Sequence, residues 1–255
     1  MHAYEHLGHT VRLGKGAPKQ DDRTLRLAKY LRAVPPAPLV RRWSDAVPSW
    51  PMFANDVLGD CTCAALAHAM VCWNANNSSP WRPTDKQVVE AYMAVGGYDP
   101  EVPGTDNGAL MLDALNHARR LGIGGRKIDA FVALDVADDD QIKAAINLFG
   151  GVYFGLDLPQ SAQNQATWSV SLAGTQGNAA RGSWGGHAAF AVDYDEDLNL
   201  SIVTWGGLQQ VSRRWRRGYG DEGYAILSRD WADADGAPNL FDYDALRADL
   251  AAVAA

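Results

Sequence analysis

The chain has few of the features that mark secreted or membrane proteins. It contains only three cysteines in 255 residues. Two of them, Cys61 and Cys63, are too close together for an ordinary structural bridge, which argues against a disulfide framework. No run approaches the roughly 20 apolar residues that cross a bilayer, and the start of the chain has no apolar segment of the signal-peptide type. These absences predict a reducing, cytoplasmic location.

Positive charge is also scarce. The chain carries 23 Lys and Arg against 30 Asp and Glu, a net charge of −7. This balance argues against general binding of nucleic acid or of anionic membranes. The exception is a basic cluster around Trp215, formed by Arg213, Arg214, Arg216 and Arg217. We expect this cluster to be a solvated loop.

With 47% hydrophobic residues the chain can bury a substantial core. Residues 1–36 read as an N-terminal arm, polar as far as Lys19. Its later part predicts a short amphipathic helix, built on Leu25, Leu27 and Leu31 and ended by Pro35 and Pro36. Residues 37–255 are predicted to form one larger domain.

The larger domain changes character near its middle. Its first half predicts helices over 62–73, 85–93, 109–121 and 138–149. Its second half predicts strands over 152–156, 187–194, 198–205 and 224–227. Helices followed by strands indicate an α+β fold with two lobes and a cleft between them.

One cysteine has the setting that thiol chemistry requires. A thiol attacks a carbonyl carbon as the thiolate, so a reactive cysteine needs a helix N-terminus and a nearby imidazolium to lower its pKa. Cys61 stands at a predicted helix start. Among six histidines, only His187 opens a predicted strand behind a glycine loop. His68 and His117 lie within helical patterns and are expected to be packing or surface residues.

The segment around this cysteine resembles a known motif. Residues 55–61 read Asn-Asp-Val-Leu-Gly-Asp-Cys, similar to the nucleophile motif of papain-like cysteine peptidases, where an amide side chain precedes the catalytic cysteine by six positions. That motif opens the family's central helix. Asn55 stands where the family has Gln, and Asn is one methylene shorter.

Three further segments resemble the family in the same order. The strand that starts at His187 is similar to its histidine strand, with Asp193 in place of a Gly. Trp205 and Gly206 lie 18 positions beyond His187, as in the family's Asn-Ser-Trp-Gly segment. Residues 222–224, Glu-Gly-Tyr, are similar to its closing Glu-x-Gly-Tyr strand. The resemblance covers residues 37–245.

The resemblance implies a two-lobed papain-like fold, with a helical left lobe and an antiparallel β right lobe around the active-site cleft. It makes 37–255 the catalytic domain. It implies Cys61 as nucleophile, His187 as base and then acid, and Asn55 as an oxyanion donor beside the Cys61 amide. The expected substrate contacts are Asn107, Gly108, Gly186 and Trp205.

The implied activity is cleavage of peptide, isopeptide or related amide bonds through a thioester on Cys61. The same Cys-His pair would also serve an acyltransferase or an amidase, because the pair does not reveal whether water or an amine resolves the thioester. A catalytically silent scaffold that binds a peptide or protein in the cleft is a further alternative. The expected partner is a peptide or protein substrate, and no cofactor is implied.

The family's histidine-orienting Asn is the main departure. Its position falls on Val203, which can neither donate nor accept a hydrogen bond. Thr204 is adjacent, but strict alternation along a strand would turn it to the opposite face of the sheet. We therefore expect either an unsupported Cys-His dyad or an orienting group from elsewhere, such as the loop at 160–185.

Two other departures concern processing. The family's disulfides are absent, and the arm lacks the length of the family's inhibitory propeptide, which favours an intracellular, bacterial or phage-type member over a secreted zymogen. Metal binding by Cys61 and Cys63, completed by His68 or Cys72, is disfavoured. Side chains two positions apart on a helix point about 200° away from each other.

Overall fold

The computed structural model describes residues 3–32, 37–170, 174–231 and 241–254. Pro35 and Pro36, which were expected to end the helix of the arm, lie outside these ranges. The helices are α1 (Cys61–Asn76), α2 (Asp85–Gly96), α3 (Met111–Arg120), α4 (Asp139–Phe149), α5 (Arg213–Tyr219) and α6 (Tyr243–Ala254). The strands are β1 (Tyr4–His6), β2 (His9–Val11), β3 (Arg41–Arg42), β4 (Ala130–Ala133), β5 (Val152–Leu158), β6 (Thr167–Trp168), β7 (Gly185–Tyr194), β8 (Leu200–Thr204), β9 (Gly207–Val211) and β10 (Gly220–Leu227).

The helical lobe is built around α1, which is buried on all sides. Fourteen of its 16 residues are buried, and its many alanines suit a helix in that position because they favour helix and allow close packing. The second helix, α2, begins with a capping box between Thr84 and Gln87 and ends at Gly97 in the left-handed conformation. The predicted helices of this half are confirmed, with shifts of a few residues at their ends.

The β lobe is one mixed sheet. Its strand order is β4-β10-β5-β7-β8-β9-β6, with β3 also pairing β7. All neighbours are antiparallel except β6 and β9, which are parallel. Two hydrophobic clusters flank the sheet, so neighbouring residues such as Tyr153 and Phe154 belong to different clusters. The expected α+β fold, with a helical part followed by a mainly antiparallel sheet, is confirmed.

The basic cluster is not a loop, and the expectation of a solvated loop is wrong. Its residues form α5, and Arg216 is fully buried. Arg213, Arg216 and Arg217 all pair with Asp139 at the start of α4. In the sequence the four arginines have no acidic partner nearby. Asp139, which pairs with three of them, is far away in the chain.

The arm is part of the core rather than an appendage. It begins as the β1–β2 hairpin, and among residues 3–32 its only helix is a single 3-10 turn, Leu27–Lys29. Val11, Leu27 and Tyr30 are fully buried and belong to the same cluster as the strands of the sheet. Between the hairpin and this turn the chain runs across the boundary between the two lobes.

Candidate active site

Cys61 is the first residue of α1, as the sequence predicted. The loop before it contains two consecutive residues in the left-handed conformation, Phe53 and Ala54. Their turn is closed by the Leu58 amide, which donates to the Ala54 carbonyl at 2.8 Å. The first amides of a helix have no partner within the helix, so the thiol of Cys61 and the unpaired amides of the first turn lie at one point.

His187 lies on β7, close to the start of α1. The backbone amide of its neighbour Ala188 lies close enough to the Cys61 thiol to lower its pKa. The Nε2 atom of His187 lies 2.5 Å from the hydroxyl oxygen of Thr204, while Nδ1 has no hydrogen-bond partner among the described residues. Trp205 stacks on the imidazole with ring centroids 4.4 Å apart. Thr204 therefore fixes the position of Nε2, while Nδ1 is available to exchange a proton.

The expectation that Thr204 faces away from His187 is wrong. Val203 pairs with Phe190 across β7 and β8 and packs in the cluster around α1. Thr204 is the last residue of β8, so it points to the other face, which is the His187 side. Trp205 then adopts a left-handed conformation, with φ of 45°, and this turn brings its indole back over the same ring. Alternation therefore holds from Val203 to Thr204 and fails only at Trp205, because the strand ends one residue before it.

Asn55 is buried with its side-chain amide facing the cleft. The amide donates to the Leu58 carbonyl at 3.0 Å and to the Arg12 carbonyl at 3.4 Å. The Arg12 carbonyl also accepts from the Trp205 indole at 3.1 Å. The Asn55 side chain therefore contacts a backbone carbonyl of the arm, the same carbonyl that the Trp205 indole contacts.

The arm passes through the cleft beside Cys61. The Gly14 carbonyl accepts from the Ala109 amide at 2.8 Å, and the Lys15 amide donates to the Gly186 carbonyl at 3.1 Å. A Cβ atom on Gly14 would collide with the carbonyl oxygen of Gly59. The arm therefore lies in a narrow gap between the two lobes, and at position 14 this gap has room only for glycine. A few residues of the arm are enough to fill this part of the cleft. The arm can therefore block the cleft although it is shorter than the family's inhibitory propeptide.

The arm also comes close to the sulfur itself. The Gly14 amide lies near enough to the Cys61 thiol to lower its pKa. The arm therefore lies directly beside the residue that the sequence predicts to be the nucleophile.

Burial in this closed arrangement keeps both reactive groups neutral. It raises the pKa of the Cys61 thiol to about 12, although the Ala188 and Gly14 amides lower it in part. Burial is the main cause that lowers the pKa of His187 to about 3, with smaller electrostatic contributions from His6, His68 and Lys15. The sequence predicted a thiolate–imidazolium pair, but the closed cleft holds a thiol and a neutral imidazole.

The remaining predicted contacts divide into two groups. Gly108 has a φ of 78°, and a Cβ there would collide with the Gly14 carbonyl. Gly186 and Trp205 also contact the arm directly. The Asn107 side chain instead donates to the Gly104 carbonyl at 2.9 Å within its own loop. Three of the four thus line the occupied cleft.

The other cysteines and His68 lie in the packed interior. Cys63 and Cys72 are buried and unbridged. The His68 ring lies 2.7 Å from the Pro51 carbonyl and packs on Phe53, so His68 is a core residue. Within the described ranges, no three potential metal ligands cluster, and no helix is long and apolar enough to cross a membrane.

Sequence reasoning missed three features of this site. Gly14 and Lys15 were assigned to a polar arm, although Gly14 and Gly16 on either side of Lys15 signal a close backbone approach. Thr204 lies on the His187 side of the sheet, opposite to the expectation from strand alternation. Asp221 forms an ion pair with Lys15 at 2.6 Å, and no local pattern connects the two residues.

Comparison with known proteins supports the architecture from structure alone. No family model matches the chain, and no curated protein matches it in sequence. Xylellain, a cysteine protease from Xylella fastidiosa, superposes with a TM-score of 0.66 at 15% identity, covering 86% of this chain and 96% of xylellain.

Two other solved structures share the fold. The digestive procathepsin L 3 of Tenebrio molitor larval midgut gives a TM-score of 0.59 at 12% identity, covering 82% of this chain and 75% of that chain. A recombinant stem bromelain precursor gives 0.57 at 14% identity, covering 86% and 78%. The chain thus has the fold of the papain-like cysteine proteases.

Proposed function

We propose that this chain is a papain-like cysteine peptidase that the arm holds in a closed state. The observation that carries the proposal is the placement of His187. Its Nε2 atom lies on Thr204, its Nδ1 atom is unpartnered among the described residues, and its strand meets the helix that begins with Cys61. A catalytically silent scaffold would not need a histidine that is fixed by a hydrogen bond and lies beside a cysteine at the start of a helix.

In this proposal Thr204 takes the role of the family's histidine-orienting Asn, whose position falls on Val203. A hydroxyl can accept from Nε2–H, which leaves the lone pair of the neutral imidazole on Nδ1. That tautomer is the one able to take the proton of the thiol. The proposed site then has a nucleophile, a base, an orienting group and oxyanion donors without any role for Val203.

The reaction follows once the arm has left the cleft. Nδ1 of His187 takes the thiol proton, and the Cys61 sulfur attacks the carbonyl carbon of an amide bond. The Cys61 amide and the Asn55 side chain donate to the oxyanion that forms. Nδ1–H then protonates the leaving amine as the C–N bond breaks. Water, deprotonated by the same nitrogen, hydrolyses the thioester and regenerates the thiol.

The decisive experiment opens the cleft at Gly14. In Gly14→Ala the added Cβ cannot coexist with the Gly59 carbonyl, so the arm has to leave its slot. The variant should cleave a mixture of unstructured peptides, whereas the parent chain should be nearly inactive. Gly218→Ala is the matched control, because a Cβ there meets nothing within 4 Å.

Two cysteine variants assign the activity in the Gly14→Ala chain. Cys61→Ser should abolish cleavage, and Cys63→Ser should retain it. Cleavage that persists in Cys61→Ser would contradict the proposal. A second result would also contradict it: a Gly14→Ala chain that is folded by its melting curve, cleaves nothing, and reacts with iodoacetamide at Cys61 no faster than the parent chain.

A further inference from the structure

Lys15 is buried in a pocket that adjoins the reactive residues. Its amide donates to the carbonyl of Gly186, the residue before His187. On the other side it forms a bridge with Ala109, through Gly14 and Gly16. The preceding residue, Gly14, is the one whose amide meets the Cys61 thiol. The Lys15 side chain therefore enters the domain one residue away from the point of chemistry.

Two carboxylates close the base of this pocket. The Lys15 ammonium lies 2.6 Å from Asp221 Oδ2 and 3.5 Å from Glu222 Oε1, and the lysine side chain is wholly inaccessible to solvent. Glu222 is held in place by the Tyr224 hydroxyl, which donates to its Oε2 atom at 2.8 Å. Two acids thus face one base, so the pocket has one more acidic side chain than basic side chains.

A backbone irregularity makes this pair of acids possible. Consecutive residues of a regular strand point to opposite faces, so neighbouring carboxylates would not meet one ammonium. The register between β5 and β10 shifts between Gly220 and Glu222. A bulge of this kind turns a side chain that would otherwise point away. Both carboxylates consequently reach the same site.

The opposite wall is kept open by a glycine. A Cβ atom on Gly155 would lie 2.5 Å from Asp221 Oδ1, 2.6 Å from Glu222 Cγ and 2.7 Å from Lys15 Cε. Gly155 has no positive φ that would require glycine. Its lack of a side chain therefore serves the space that the lysine and the two acids occupy.

The acids belong to the domain, and the base belongs to the arm. Strand β10 lies between β4 and β5, so Asp221 and Glu222 stay in place when the arm leaves. Asp221 Oδ1 and Glu222 Oε1 have no hydrogen-bond partner among the described residues. An emptied pocket would therefore present buried acceptors that need a cation.

We propose that the pocket formed by Gly155, Asp221, Glu222 and Tyr224 is a specificity pocket for a basic side chain of the substrate, and that Lys15 occupies it as an internal mimic. This inference rests on the proposed peptidase function. It names the substrate class as peptides with lysine or arginine next to, or one residue removed from, the cleaved bond. The arm closes the cleft by using the recognition that a substrate would use.

The test is the cleavage specificity of the Gly14→Ala chain on a peptide library, with the products sequenced by mass spectrometry. Lysine or arginine should be enriched at least about tenfold at one fixed position within two residues of the cut, the factor expected from a charge-assisted contact. Asp221→Asn and Glu222→Gln should each reduce that enrichment, while Glu196→Gln, an exposed acid on the β7–β8 loop, should not. Cleavage without a preference for basic residues would refute the proposed specificity pocket and would still support the peptidase proposal.

A binding measurement separates the two proposals. Fluorescent peptides that differ only in lysine or its uncharged isostere norleucine are titrated against Gly14→Ala combined with Cys61→Ser, which cannot turn them over. Tighter binding of the lysine peptide, lost in Asp221→Asn, supports the pocket even where the Gly14→Ala chain cleaves nothing, in which case only the peptidase proposal fails. Equal affinities of the two peptides overturn the pocket.

Discussion

The Nε2 atom of His187 lies 2.5 Å from the hydroxyl oxygen of Thr204. The two residues are 17 positions apart in the sequence and belong to strands β7 and β8. Trp205 covers the imidazole next to this contact, so water is kept from competing for it. The hydroxyl thus stands where an orienting group for a catalytic histidine is required.

Replacing Thr204 should impair the proposed catalysis without unfolding the protein. In the Gly14→Ala chain, Thr204→Val keeps the shape and removes the partner of Nε2. We expect kcat to fall roughly 10- to 100-fold, because one buried hydrogen bond is worth about 1–3 kcal/mol. Thr204→Ser should restore most of the rate. Equal rates for the valine and serine variants would show that the hydroxyl does not orient the ring.

Placing the family's Asn at Val203 should harm the protein. Val203 is fully buried in the cluster around α1, opposite Phe190, so Val203→Asn buries an amide that cannot reach His187. We expect a loss of about 1–3 kcal/mol in unfolding free energy, together with lower activity. Val203→Ala is the control for lost volume. A gain in kcat at an unchanged melting temperature would contradict this assignment.

The reactivity of Cys61 should report whether the cleft is closed. With the arm in place, burial raises the pKa of this thiol to about 12, and only the thiolate reacts with iodoacetamide. Labelling of the parent chain should therefore keep rising with pH beyond 9. In Gly14→Ala, labelling should be appreciable at pH 6, and His187→Ala should suppress it. A parent chain that labels Cys61 readily at pH 6 would refute the closed state.

His68 should make the folded state sensitive to acid. Burial lowers its pKa from 6.5 to about 4, so between these values the unfolded chain binds a proton that the folded chain does not. Stability from this residue is therefore lost as the pH falls from 6.5 to 4, by about 1.4 kcal/mol per unit.

His68→Gln keeps a donor for the Pro51 carbonyl and removes the titration. Denaturant titrations at several pH values should show the advantage of the parent chain over His68→Gln shrinking towards acid. A constant difference across this range would mean that His68 titrates alike in the folded and unfolded chains. The comparison cancels the titration of the other buried groups, including His187 and the carboxylates.

Local patterns were sufficient to predict the helices and strands that carry the site. The alanine-rich run that became α1, the Gly150 end of α4 and the apolar strand behind His187 are properties of short segments. Their conformations follow from propensity, capping and periodicity. Local patterns could not predict that the strand ends at Thr204. Trp205 continues the apolar run in the sequence, but its backbone is in a left-handed turn.

The sequence by itself determined the α+β character of the chain, the helix start at Cys61 and the strand start at His187, because each depends on residues within a few positions. Only the tertiary structure decided that Thr204 meets His187, that Gly14 lies against the thiol, and that Lys15 pairs with Asp221, 206 positions away. Such contacts depend on how the lobes and the arm pack, and no local pattern specifies which distant partner a buried polar group will find.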